Sequence, residues 1–201
     1  MPEHGEICAL IAAAGLSRRM GSFKPLLPLG DSTVIENTVS RVLACAEHTV
    51  VVIGYNGDRV RTALRGFGSR VKYVFNPDFA CTDMLRSVQL GAAALPACQA
   101  FFLLPGDMPA VSPDTLRALL DARQQGGTLI FPTVAGRRTH PPLVDASLIP
   151  EILTYHGGDG LRGLWREHVR DSVFVPVSDP GVTLDLDTPE DYEKCKKLLK
   201  I

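Results

Sequence analysis

Short apolar runs alternate with amphipathic stretches along most of this chain. Ile7–Ala12 is continuous and apolar, the pattern of a strand covered on both faces. His48–Ile53, Val71–Phe75, Ala100–Leu104 and Thr128–Phe131 repeat it, and Gly54 and Asn76-Pro77 close the first two of these. Helical spacing fills the gaps. Thr33–Cys45 puts Val34, Ile35, Thr38, Val39, Val42 and Leu43 on one face. Asp58–Arg65 and Met84–Leu95 follow, the latter stopped by Pro96. Pro113–Gln125 has Ser112 as N-cap and Pro113 in its first turn. This alternation predicts an α/β fold, doubly wound, with a mostly parallel sheet and helices on both faces. The last third is less regular. There His140–Val144, Val173–Val177 and Val182–Leu186 read as short strands, and Leu148–Leu153, Leu161–His168 and Pro189–Leu199 as helices.

Open α/β sheets bind ligands beyond the carboxyl ends of their strands, so the segments after each apolar run carry the candidate chemistry. The first is Ala12-Ala13-Ala14-Gly15-Leu16-Ser17-Arg18-Arg19-Met20-Gly21-Ser22-Phe23-Lys24-Pro25. Small residues let a ligand approach the backbone, and free N–H groups can hold anionic oxygens. Arg19 and Lys24 add charge where a triphosphate would sit. The loop is neither a Walker A sequence nor G-x-G-x-x-G, and a solvated basic surface loop is the competing reading. The second segment, Pro105-Gly106-Asp107-Met108-Pro109, places a carboxylate just past the fourth strand. Such a carboxylate suits a hard cation held together with phosphate oxygens, or a turn aspartate bonding its own backbone. The third, Asp185-Leu186-Asp187-Thr188-Pro189, sets both aspartates on one face of an extended stretch. Thr188, Pro189 and Asp191 account for a helix start; Asp185 and Asp187 are left over.

Composition narrows the class. The chain has 201 residues, 21 Lys+Arg against 22 Asp+Glu, and a formal net charge of -1. That length fits one domain, 1–201, and the balance argues against nucleic-acid and membrane-surface partners. Neither a repeat nor a low-complexity tract interrupts it. The five cysteines form no C-x-x-C pair, so neither a zinc ribbon nor a disulfide framework is expected. With no basic leader before the first apolar run, and that run too short to cross a bilayer, the expected setting is cytoplasmic. Neither Ser17 nor Cys8 shows a catalytic partner in sequence, so covalent catalysis is not expected.

The string A-A-G-L-S-x-R-M-G-x-x-K-x-L-L-P-L, running from Ala13 to Leu29, resembles the signature of the nucleotidyltransferases that act on molybdenum cofactor, and among them the cytidylyltransferase family. Guanylyltransferase relatives carry Ala-Gly-Gly where this chain has Ala13-Ala14-Gly15, which implies CTP. G-D-M-P and D-x-D-T-P are similar to the family's metal motifs. The resemblance implies Asp107 and Asp187 as ligands of Mg2+ (or Mn2+), with Asp185 second to Asp187. It implies a nucleotide site of Ala13, Ala14, Gly15, Leu16, Ser17, Arg19, Lys24, Ser87 and Asp107, with Arg19, Lys24 and Asp107 in catalysis. Residues 1–110 then form mainly the nucleotide half and 111–201 the acceptor side. Arg137-Arg138-Thr139-His140-Pro141 resembles the family's G-H-P segment, giving His140 a place near the acceptor; a structural histidine is the alternative. Three positions depart from the pattern: Asp83 for Gly, Arg86 for Ser and Thr139 for Gly, with Asp83 also readable as a helix N-cap.

The activity implied is transfer of CMP from CTP to molybdopterin-bound molybdenum, with pyrophosphate released and the product passed to a molybdenum hydroxylase. The chain would act as a monomer or small homo-oligomer. The competing functions are a nucleotidyltransferase for a sugar or polyol phosphate, and a non-catalytic cofactor-binding accessory protein.

Overall fold

A computed structural model describes residues 6–17 and 22–201. Its strands are β1 (Ile7–Ala13), β2 (Pro28–Leu29), β3 (Ser32–Thr33), β4 (His48–Ile53), β5 (Val71–Phe75), β6 (Ala100–Pro105), β7 (Leu129–Val134), β8 (Arg137–Arg138), β9 (Leu143–Asp145) and β10 (Ser172–Pro176). Its α-helices are α1 (Val34–Val42), α2 (Gly57–Ala63), α3 (Met84–Ala92), α4 (Pro113–Arg123), α5 (Ile149–Thr154), α6 (Leu161–Glu167) and α7 (Pro189–Leu199). The main sheet runs β10-β7-β9-β6-β1-β4-β5, with β8 paired to β7. β1 is parallel to both β4 and β6, β4 to β5, and β10 to β7. Only β8 and β9 run against the rest, so β5, β4, β1, β6, β7 and β10 end at one edge.

The doubly wound character is visible along β1. Ile7, Ala9, Ile11 and Ala13 face a cluster with Ile35, Val39 and Val42 of α1, Val60 of α2 and Leu116 of α4. Cys8 and Leu10 face the other way, toward Val88 of α3, Ile152 of α5 and Trp165 of α6. A strand with helices on both sides has no polar face, which is why the run was continuous rather than alternating. Gly91 lets α3 lie close on the sheet: a Cβ there would come within 2.8 Å of Leu10 and Val52 side chains.

Sequence and structure differ in three places. Val182–Leu186 is not a strand; a 3-10 turn over Pro180–Thr183 leads into an irregular, unpaired stretch that turns tightly at Leu186, where the Asp187 amide donates to the Asp185 carbonyl at 2.9 Å. Its apolar residues are used differently: Leu186 is fully buried against Leu29, Val34, Ala110 and Cys195, in a small third cluster beneath α7. The strand expected at His140–Val144 starts only at Leu143, after a cis His140–Pro141 peptide. α3 ends at Ala92 with Ala93 as C-cap, short of Pro96. The two-residue pairs β2–β3 and β7–β8 were too short to leave a periodic signal. Among the described residues no helix is long and apolar enough to cross a membrane.

The C-terminal segment is tied onto the body by Asp179. Its carboxylate accepts from the Ser112 amide and the Thr115 hydroxyl, each at 2.8 Å, and from the Gly181 amide at 2.8 Å. Gly181 then passes so close to Ala110 that an added Cβ would lie 2.1 Å from its carbonyl oxygen. That approach seats the stretch carrying Asp185 and Asp187 beside the loop carrying Asp107. Gly181→Ala is expected to lower stability by about 1–3 kcal/mol, the usual cost of forced overpacking. Urea denaturation checks it; an unchanged midpoint would show that the segment moves aside freely.

Candidate active site

The site lies at the carboxyl edge of the sheet, where β1 and β6 release their loops side by side. Gly106 is the point of closest contact. Its amide donates to the Ala12 carbonyl at 2.9 Å. A Cβ at Gly106 would sit 2.8 Å from that of Ala13. The absence of a side chain there keeps Asp107 close to the first loop. Lys24 opens a short 3-10 turn, Lys24–Leu26, started by Pro25. Its amide donates to the Ser17 hydroxyl oxygen at 3.1 Å, which closes the basic loop on itself.

Lys24 is buried, and its ammonium donates to Asp107 Oδ2 at 3.0 Å and to Asp187 Oδ1 at 2.6 Å. Burial alone would pull its pKa down. The bond to Asp187 and the charge and bond of Asp107 outweigh that and hold the pKa above the ordinary lysine value. Asp185 keeps an exposed side chain, yet its carboxyl is pushed above the usual aspartate range. The protein around it withdraws solvent first, and the charges of Asp107 and Asp187 add to that, with Lys24 opposing.

Two clefts meet at this edge and share Ala12 and Gly15. The first, about 150 Å³, is lined by Ala13, Ser17, Lys24, Pro25, Pro105, Gly106 and Asp107. The second, about 200 Å³, is lined by Ala14, Asn76, Phe79, Thr82, Asp83, Met84 and Ser87. Ala13, Ala14, Gly15, Ser17, Lys24, Ser87 and Asp107 are thus brought together as the sequence predicted, and Asp187 joins them through Lys24. Leu16 lines neither cleft. Arg19 lies outside the described residues. His140 sits along the edge from Asp107; the charge of that aspartate acts on it against the stronger opposite influence of desolvation and of Arg138.

In the sequence Asn76 belongs to Asn76-Pro77-Asp78-Phe79, which resembles the family stretch over the nucleoside, but nothing there gives it a role of its own. It is buried, and its Nδ2 donates to Ser87 Oγ at 3.1 Å and Thr82 Oγ1 at 3.3 Å, fixing the wall of the second cleft. Its position just after β5, at the ligand-binding edge, was the available signal. The departures at Asp83, Arg86 and Thr139 have structural employment. Asp83 caps α3 by accepting from the Arg86 amide at 3.3 Å, and the Arg86 side chain is exposed. Thr139 donates from both its amide and its hydroxyl to the Pro132 carbonyl.

The residues fit a divalent metal ion. Two carboxylates already converge on one positive charge, and an all-oxygen donor set suits Mg2+ or Mn2+. Among the described residues no group of three His, Cys, Asp or Glu side chains forms a complete ligand set. Two carboxylates with substrate oxygens is the usual arrangement for Mg2+ bound with phosphates. In the metal-free protein Asp185 has a raised pKa, so its ionisation opposes folding above that pKa, and the penalty vanishes below the ordinary aspartate range. Asp185→Asn should therefore raise the stability of the metal-free protein at neutral pH. The gain should fade by about pH 3, where an aspartate is protonated in either state. Denaturation at the two pH values checks it, and a loss of stability at neutral pH would contradict the assignment.

The pattern of the MobA-like NTP transferase domain matches residues 9–173 of this chain. The chain is similar to the molybdenum cofactor cytidylyltransferase of Escherichia coli K12, at 31% identity over 95% of this chain and 96% of that protein. It is also similar to a nicotine blue oxidoreductase of Paenarthrobacter nicotinovorans, at 29% identity over 92% and 93% of the two chains. Among solved structures, Rv0371C of Mycobacterium tuberculosis in complex with manganese superposes with a TM-score of 0.75 and 27% identity, covering 96% of this chain and 98% of that one. The fold, the convergent acids and these likenesses agree: the chain belongs to the MobA-like nucleotidyltransferases.

Proposed function

We propose that this chain transfers CMP from CTP to molybdopterin-bound molybdenum and releases pyrophosphate. The observation that carries the reading is the meeting of Asp107 and Asp187 on Lys24, beside a cleft walled by Ala13, Gly15 and Ser17. Near-full-length similarity to a molybdenum cofactor cytidylyltransferase supports the choice of nucleotide and acceptor.

In this reading the nucleoside occupies the cleft framed by Asn76 and Ser87, and the phosphates run past Gly15 toward Lys24. The small residues Ala13 and Ala14 leave the backbone open to phosphate oxygens. A phosphate oxygen of the acceptor forms a bond to the α-phosphorus, and the bond from that phosphorus to the pyrophosphate oxygen breaks. The nucleophile arrives already ionised, so no side chain is needed as a strong base. Lys24, together with Arg19, meets the charge that grows on the departing pyrophosphate. Asp107 and Asp187 would hold Mg2+, with Mn2+ able to replace it, and the bound ion supplies neutralisation of phosphate oxygens. Positioning and charge therefore account for the catalysis. Residues 1–110 supply most of the nucleotide side and 111–201 the acceptor side, and the product passes to a molybdenum hydroxylase in the cytoplasm.

Pyrophosphate release with Mg2+, measured across CTP, GTP, ATP and UTP with and without molybdopterin, tests this directly. Release is expected with CTP and the molybdenum-loaded acceptor. Release with a sugar or polyol phosphate instead would overturn the acceptor, and nucleotide binding without release would favour an accessory protein. Asp107→Asn should abolish release while circular dichroism stays native, and Lys24→Ala should slow it by roughly 100-fold, in the range of other lost transition-state charges. A wild-type rate in Asp107→Asn would contradict the mechanism.

A further inference from the structure

A second group of positive charges stands along the same edge, outside the Lys24 centre. Arg138, in β8, pairs with Thr133 at the end of β7. Its guanidinium carbon lies 4.7 Å from the centre of the Phe131 ring, a cation–π contact that fixes its place. The same ring meets Trp165 of α6 edge-on at 6.3 Å, so α6, which carries Arg162, lies alongside. The start of α6 also approaches the nucleoside cleft, since a Cβ on Gly160 would be 3.1 Å from Asp83 Oδ2. His140 arrives through β9. Leu143 pairs with Phe102, and the Leu103 amide donates to the Pro142 carbonyl at 3.0 Å. The residues before Leu143 therefore run along β6 toward Pro105 and Asp107.

Among the described residues Arg138 and Arg162 make no ion pair with a carboxylate. The arginine–carboxylate ion pairs found among the described residues belong to Arg117, Arg123 and Arg166. Asp159 is near enough for Arg162 to act on it, but its carboxylate is bonded to Arg166. Desolvation first, and then the charge of Arg162, lowers the pKa of Arg138. His140 is lowered by desolvation and then by Arg138, with Arg162 adding to it. Like charges held together are unfavourable in the protein alone, and a bound anion relieves that repulsion. Forked guanidiniums match the oxygens of a phosphate.

We propose that Arg138 and Arg162, with His140 beside them, form a cradle for a phosphomonoester dianion on the β7–β9 side of Asp107, and that the dianion is the acceptor's. The assignment to the acceptor rests on the nucleotidyl-transfer reading above; the cradle itself does not. On that reading Arg138 and Arg162 set the acceptor's position, while Lys24 and the loop from Ala13 to Ser17 serve the nucleotide.

The test uses the full chain with inorganic phosphate as the probe. The arginine Nε–Hε signals are followed by NMR and assigned with Arg138→Lys and Arg162→Lys. Both signals should shift saturably with phosphate, and should still do so when CTP is present in excess. Absence of any shift overturns the cradle. A shift that CTP alone produces, and that blocks further response to phosphate, assigns the arginines to the nucleotide and overturns the acceptor role. With molybdopterin acceptor, Arg138→Gln and Arg162→Gln should each raise the acceptor KM roughly 10-fold or more, the range for a lost charge-assisted bond. The KM for CTP should stay within about twofold, as expected for binding lost to one substrate only, and the lysine variants should recover part of the loss. An unchanged acceptor KM overturns the proposal. If the wild-type chain turns over no molybdopterin, the acceptor reading has failed, and the phosphate titration still decides whether the cradle exists.

Discussion

The Lys24 ammonium takes Asp107 and Asp187, residues 83 and 163 positions further along the chain, in a single contact. Around that contact the rest of the site is arranged. A buried lysine needs its counter-charges, and removing one member of a buried pair typically costs about 3–5 kcal/mol. The cost is smaller here because Asp187 is 39% exposed. Two carboxylates held this close without a cation would repel, so the lysine keeps in place a pair that the proposed chemistry needs. The same arrangement explains how a chain of near-zero net charge presents a strongly polar site: opposite charges from distant segments are gathered at one edge.

The fold provides that edge by several independent means. Parallel strands bring the loops after β1 and β6 to the same end of the sheet. Gly106 allows them to touch, and burial of Leu186 orients the aspartates on either side of it. Asp179 and Gly181 then fasten the C-terminal segment against the start of α4. Gly106 also lines the first cleft, while Leu186, Asp179 and Gly181 line neither cleft and act by holding the segment that carries Asp187 beside Asp107. Along the edge, Arg138 on β8 and Arg162 on α6 carry the opposite sign, and among the described residues neither makes an ion pair with a carboxylate.

The strand–helix order was legible because both faces of the sheet are covered, which makes strands such as Ile7–Ala13 and Ala100–Pro105 almost wholly apolar. Capping was legible too: Ser112 and Thr188 cap helices as their sequence contexts predict, while Thr33, read as the first residue of its helix, is the N-cap of α1. Val182–Leu186 misled because an apolar residue at every other position also suits a 3-10 turn and an irregular stretch that bury Val182 and Leu186 in two different clusters, with no strand beside them. In the site, the alternation Asp185-Leu186-Asp187 is interrupted: the Asp187 amide donates to the Asp185 carbonyl at 2.9 Å in a tight turn around Leu186, and Asp187 reaches Lys24 while Asp185 stays exposed. The role of Asn76 within its stretch was not legible because it depends on a partner, Ser87, eleven residues away across a turn and a helix start. The cradle proposed for Arg138, Arg162 and His140 depends on the register of short strands and on one aromatic contact, and neither leaves a periodic trace.

The central claim is that Asp107 and Asp187 act as one cation-binding unit despite coming from opposite ends of the chain. Mn2+ titration followed by electron paramagnetic resonance, with CTP present, reads this most directly in the wild-type chain, Asp107→Asn and Asp187→Asn. The account predicts that either single substitution removes most of the bound Mn2+ signal while the protein stays folded. Wild-type Mn2+ affinity in Asp187→Asn would contradict it.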